Sequence, residues 1–134
     1  MKKRTNISSA AKWEDLVGYS RAVRVDDRVF VTGTTAFDES GEIIGKDDPY
    51  AQAAKCIENI KTALEGAGAS LHNVVRTRMF VTNIDQWEEI GKAHAAYFGD
   101  IKPATSMIEI SRLIHPDMLV EIEADAIIGS EKEG

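Results

Sequence analysis

A chain of 134 residues with 43% apolar side chains can bury one sizeable core, and its formal charge of −6 disfavours a dedicated nucleic-acid or anionic-membrane surface. The single cysteine, Cys56, excludes an intrachain disulfide and reads as a small core residue rather than a nucleophile. The basic start Met1-Lys-Lys-Arg4 is followed by no apolar run of secretory length, and no span reaches the roughly 18 apolar residues of a membrane helix, so a cytoplasmic protein without a membrane partner is expected.

Residues 1–18 mix charge with small side chains and read as an N-terminal arm, ordered by contacts of Trp13 and Leu16, on a single domain spanning 1–134. Two β-rich runs, 19–25 and 29–35, flank Asp26-Asp27-Arg28 and predict a hairpin. Gly41 and Gly45 mark turn chemistry, after which Asp47-Asp48-Pro49 supplies capping carboxylates and a proline suited to the start of a helix. Over 50–67 the residues Ala53, Ile57, Ile60, Leu64 and Ala67 form one continuous helical stripe, which Gly66 and Gly68 end. Val74–Val81 is a predicted strand, with Val75, Thr77, Met79 and Val81 on one side and Arg76, Arg78 and Phe80 on the other. Asn83 and Asp85 can cap a second helix over 86–98, striped by Trp87, Ile90, His94 and Tyr97 and stopped by Gly99. On that stripe His94 reads as a packed histidine with one hydrogen bond rather than a catalytic base.

Residues 103–127 supply two closing strands that are expected each to bury one face. Glu109 in the first, and Glu121, Glu123 and Asp125 in the second, alternate with Ile108, Ile110, Val120, Ile122, Ala124 and Ala126. The order β-β-α-β-α-β-β predicts an α+β domain of two layers, with both helices on one sheet face. No predicted element is left to cover the other face, which would carry Arg76, Arg78, Glu109, Glu121, Glu123 and Asp125. No His/Cys/Asp cluster has metal-ligand spacing, and neither a phosphate-binding glycine motif nor a Ser-His-Asp arrangement can be assembled.

From Gly18 onward the chain resembles the YjgF/RidA family of reactive-imine deaminases. The likeness runs through Gly18-Tyr19, Val29-Phe-Val-Thr-Gly33, Asn59, Ala67-Gly68, Met79-Phe80-Val81, Tyr97-Phe98, Pro103-Ala104, Arg112-Leu113 and Glu121-Ile-Glu-Ala124. It implies a chorismate mutase-like fold, a homotrimer whose sheets enclose a barrel, and ligand clefts between neighbouring subunits. It further implies hydrolysis of a small imine or enamine metabolite with no metal and no cofactor. Glu121 takes the place of the acid that positions water, and Tyr19, Thr32, Gly33, Thr105 and Met107 take the places of substrate-binding positions.

At one of those places this chain departs from the family pattern. The deaminases carry an arginine where this chain has Thr105, and they follow it with Ser-Cys where this chain has Ser106-Met107. An arginine grips a carboxylate through paired, charge-assisted hydrogen bonds, so its loss points away from a typical amino-acid imine. Three readings stay open: a substrate without a carboxylate, a replacement cation from Arg21, Arg76 or Arg78, and a ligand-binding or regulatory trimer without turnover. Arg76 and Arg78 also have a plain structural role open to them, cross-strand pairing with Glu121, Glu123 or Asp125. His115, in the loop between the last two strands, is a candidate for the cleft mouth. A ribonuclease label borne by some relatives fits poorly with an acidic chain lacking a basic, aromatic-rich stripe, and no nucleic-acid partner is expected.

Overall fold

The computed structural model describes residues 1–131. Its elements are β1 (Arg4–Ile7), α1 (Lys12–Val17), β2 (Ala22–Val25), β3 (Arg28–Thr34), α2 (Pro49–Gly66), β4 (Val74–Val81), α3 (Trp87–Phe98), β5 (Ala104–Glu109) and β6 (Val120–Ile127). The six strands form one sheet in the order β1-β2-β3-β6-β4-β5, with β4 and β5 parallel and all other neighbours antiparallel. This is the α+β architecture expected from the sequence, enlarged by β1 and α1.

Helix α2 forms where its caps and stripe require. Asp48 accepts a hydrogen bond from Ala51 N at 3.0 Å, Pro49 opens the first turn, and Gly68, at φ +84°, turns the chain out of the helix. Ala53, Ile57, Ile60 and Leu64 are fully buried against alternate residues of β6, Val120, Ile122, Ala124 and Ala126. Each large side chain so placed contributes roughly 1.5–3 kcal/mol. Cys56 lies in the same core, where burial pushes its thiol pKa up, so it is inert packing as expected.

Several local expectations change. The arm is ordered by β1, which pairs with β2, and by the buried carboxylate of Glu14, whereas Leu16 is exposed. Val75 is not a core residue: a bulge between Val74 and Arg76 pushes it out and hands the buried position to Val74. Trp87 is 56% exposed, and α3 packs through Ile90, Ala93 and Phe98 instead. Strand β5 is a poorly covered edge strand rather than one with a buried face. Its Glu109 leaves the open sheet face and accepts from Ile84 N at 3.1 Å, beside the start of α3.

The uncovered face otherwise carries what the parity predicts. Phe80 lies opposite Glu121, Arg78 opposite Glu123 and Arg76 opposite Asp125. Arg78 Nη1 donates to Glu123 Oε1 and to Asp125 Oδ2, both at 3.2 Å, so its structural role is realised. His94 is a packed histidine. Its Nε2 lies 2.8 Å from Thr77 Oγ1, its ring stacks 4.7 Å from that of Phe98, and burial lowers its pKa.

Candidate functional site

The site begins with an irregularity in the sheet. Along the β3–β6 pair, Val31 lies opposite Ala124 and Thr34 opposite Ile122, so Thr32 and Gly33 together face a single residue of β6. Such a bulge re-aims the side chains around it. Here it brings the Gly33 backbone against the carboxyl of Glu121, so close that a Cβ on Gly33 would lie 2.7 Å from Oε2. Only glycine leaves room for this acid, which is a physical reason for that residue at that place.

Glu121 stands in a cavity of about 450 Å³, the size of a small-metabolite site. Burial, and then the neighbouring Glu123 carboxylate, push its pKa above the usual carboxylate range, while Arg21 pulls it back less strongly. An acid so placed can exchange a proton with a bound molecule nearer neutral pH than a free glutamate can. The walls come from the arm (Trp13), the hairpin (Tyr19, Arg21), the loop after β3 (Thr35, Phe37) and the loop before β6 (His115, Met118).

Arg21, expected only as one of three possible cations, is the one brought beside Glu121. It is 5% exposed, and its Nη1 donates to Gly33 O at 3.1 Å and to Thr34 Oγ1 at 3.3 Å. The rings of Tyr19 and Phe37 lie 5.7 and 5.3 Å from the guanidinium carbon. Its charge is balanced by Glu14 Oε2, 3.6 Å from Nε. Glu14 is itself fixed by Ser9 N at 3.1 Å, by the Ser8 hydroxyl at 3.2 Å and by the Ser9 hydroxyl. Arg76 and Arg78 belong to the open sheet face instead.

Of the residues singled out in the sequence, Tyr19, Gly33 and Glu121 meet in this cavity. Thr32, the other residue of the bulge, borders a shallower hollow with Arg4, Asn6 and Ser20. Within one chain Thr105 and Met107 do not reach the cavity. They lie on β5, two strands beyond β6, paired in register with the core residues Thr77 and Met79. Thr105 Oγ1 is 2.7 Å from Thr77 Oγ1. Trp13 and Phe37 were not singled out for the cavity. For Trp13 there was a usable signal, the acidic pair Glu14-Asp15 followed by Gly18, which marks a short helix with a glycine stop.

Comparison with known proteins extends these observations over the whole chain. A family model described as Endoribonuclease L-PSP matches residues 10–128. A RutC family protein of Pyrococcus abyssi is 41% identical over 109 residues, 81% of this chain and 84% of that one. The crystal structure of Rv2704 from Mycobacterium tuberculosis, described as a member of the YjgF/YER057c/UK114 family, superposes with a TM-score of 0.86 at 48% identity and covers 94% of this chain and 100% of that one. The YjgF gene product of E. coli superposes with a TM-score of 0.78 at 27% identity, covering 92% and 94%. The sheet, the helices laid on one of its faces and the glycine-backed Glu121 thus belong to a chain that is a member of the YjgF/RidA family.

Proposed function

We propose that this protein is a small-molecule hydrolase of the RidA type, adding water to a reactive imine or enamine at the Glu121 cavity. The carrying observation is the carboxyl of Glu121, half-buried, raised in pKa and seated on Gly33 in a partly aromatic cavity. In this reading the ionised carboxylate takes a proton from water as its oxygen attacks the C=N carbon. That proton passes to the nitrogen to give a carbinolamine; its hydroxyl proton then moves by way of the carboxylate to the nitrogen, the C–N bond breaks as the C=O forms, and ammonia and a carbonyl compound leave. Tyr19 and Gly33 frame the substrate from the same chain.

Thr105 and Met107 would come from another copy. This reading draws support from the open sheet face, where Phe30 and Ile108 are each 46% exposed with no helix over them. A closed threefold ring sets one patch against a different patch on its neighbour, which suits a site completed across an interface. Gel filtration is expected to give three times the chain mass, and a monomer would remove Thr105 and Met107 from the site.

The decisive assay generates imines in situ from several amino acids with an oxidase and follows ammonia release. Consumption faster than buffer alone is expected for at least one imine. If none is consumed, the second reading, a ligand-binding trimer without turnover, takes its place. What favours that reading is Thr105 itself, whose hydroxyl is turned to Thr77 where the deaminases hold an arginine.

Gly33→Ala separates the site from the fold. The atoms a new Cβ would meet are the far end of the Glu121 side chain, which can swing away at little expense to stability. The melting temperature is therefore expected to change by a few degrees at most, since the methyl also restricts the unfolded chain. Turnover is expected to fall at least tenfold, because a catalytic group misplaced by about 1 Å can cost on the order of 10²-fold. Unchanged turnover with a normal melting temperature would argue that Glu121 is not used where it stands.

A further inference from the structure

Arg21 carries more hydrogen-bonding capacity than its surroundings use. A guanidinium has five N–H donors and no acceptor. Both Nη1 hydrogens are taken, by Gly33 O and Thr34 Oγ1. Nε is fully buried with no hydrogen-bond partner, and Nη2 makes no hydrogen bond among the described residues. Glu14 balances the charge, but at 3.6 Å from Nε it does not take up that hydrogen. The side chain cannot turn away to find acceptors elsewhere, because Nη1 is tied at two points and the Tyr19 and Phe37 rings flank the guanidinium.

A 95% enclosed cation at the wall of a cavity, with Nη2 unused, is built for an acceptor that arrives from the cavity. A carboxylate is acceptor-only and makes a strong, charge-assisted hydrogen bond with a guanidinium N–H. We propose that Arg21 is the carboxylate-recognition residue of this cavity, so that the ligand is a small carboxylate gripped from within the same chain as Glu121. The inference rests on the reading that the cavity is the ligand site. It resolves the departure at Thr105 by moving the cation from an edge strand to the wall of the cavity, and it makes Glu14 a counter-ion that the ligand carboxylate must share.

The test uses Trp13, which lines the cavity, as reporter. Trp87 is the other tryptophan and is exposed, so the full chain carrying Trp87→Phe leaves Trp13 alone to be read. Its fluorescence is titrated with propionate and with propionamide, which has nearly the same shape but no charge. Propionate is expected to saturate at least tenfold more tightly than propionamide, and Arg21→Gln to abolish that preference. Glu14→Gln removes the counter-ion while leaving both Nη1 bonds in place. It is expected to tighten propionate at least threefold and to leave propionamide unchanged.

Lys12, whose ammonium lies 4.8 Å from the Trp13 ring, is the competing source of positive charge, and Lys12→Gln is expected to keep the preference. No saturable response to propionate, equal binding of the two probes, a preference that survives Arg21→Gln or a preference lost in Lys12→Gln would each overturn the assignment. Should Arg21→Gln fail to fold by circular dichroism, unchanged propionate affinity in Glu14→Gln overturns it instead. Imine turnover with no preference for carboxylates would sink this inference and leave the hydrolase standing. A propionate preference without turnover would do the reverse.

Discussion

Glu121→Gln is expected to lower turnover by about 10²–10⁴-fold, the usual worth of a positioned acid–base group, while raising the melting temperature at neutral pH. The two effects have one cause. Burial and the Glu123 carboxylate raise the Glu121 pKa in the folded protein, so the folded state holds this proton more tightly than the unfolded chain does. The stability gained from that proton is fully present below the unfolded pKa and is lost as pH rises through the folded one. At neutral pH the wild-type protein keeps an ionised carboxylate in a place that disfavours it, and the neutral glutamine removes the penalty. Melting curves of the two proteins should therefore converge near pH 4 and separate as pH rises, with the variant the more stable.

The same shift fixes the pH–rate profile. If Glu121 acts as a base, its ascending limb lies above the range of an ordinary glutamate. Glu123→Gln should move that limb to lower pH by removing the like charge, and Arg78 then keeps Asp125 as a partner. A Glu121→Gln protein that is inactive and also less stable at neutral pH would mark the residue as a structural acid, contrary to this account.

The periodic parts of the fold were legible in the sequence because burial alone decides them. The stripe of α2 and the alternation of β6 each have one face that must leave water, and the structure buries Ile57, Ile60, Leu64, Val120 and Ile122 as their spacing requires. The failures are places where one residue breaks the period. A strand without a bulge would put Val75 in the core, and the bulge moves it outside. Thr32 and Gly33 read as one turn and separate to two hollows because they are themselves the two residues of the β3 bulge. Arg21 is only a candidate in the sequence, since what holds it at the cavity wall comes from other segments: Glu14 on the arm, Phe37 in a loop, and the Gly33 carbonyl at the bulge. No local pattern in a sequence encodes such a meeting.

Gln52→Leu is expected to destabilise the protein by roughly 2–5 kcal/mol, although leucine is close to glutamine in size and suits a buried helix face. Gln52 is fully buried on α2. Its Nε2 donates to Asp117 O at 2.6 Å, and its Oε1 accepts from Leu119 N at 2.8 Å. One side chain thus satisfies two backbone groups of the loop before β6, the loop that brings His115 and Met118 to the cavity. Leucine would leave a carbonyl and an N–H without partners, at about 1–3 kcal/mol each, and its added apolar contact offsets only part of that loss. A fall in melting temperature on the order of 10 °C follows for a chain of this size. Hydrogen exchange should quicken at Met118 and Leu119 ahead of the sheet, because the loop loses its tie to α2 while β6 keeps its ladder. Asn59, one face further along the same helix, donates from Nδ2 to Thr35 O and Phe37 O, both at 3.0 Å, and so holds the opposite rim. Asn59→Leu should loosen that rim alone. Equal exchange at both rims in either variant would mean that α2 does not clamp the cavity mouth through these two amides, and that the loops are held by packing instead.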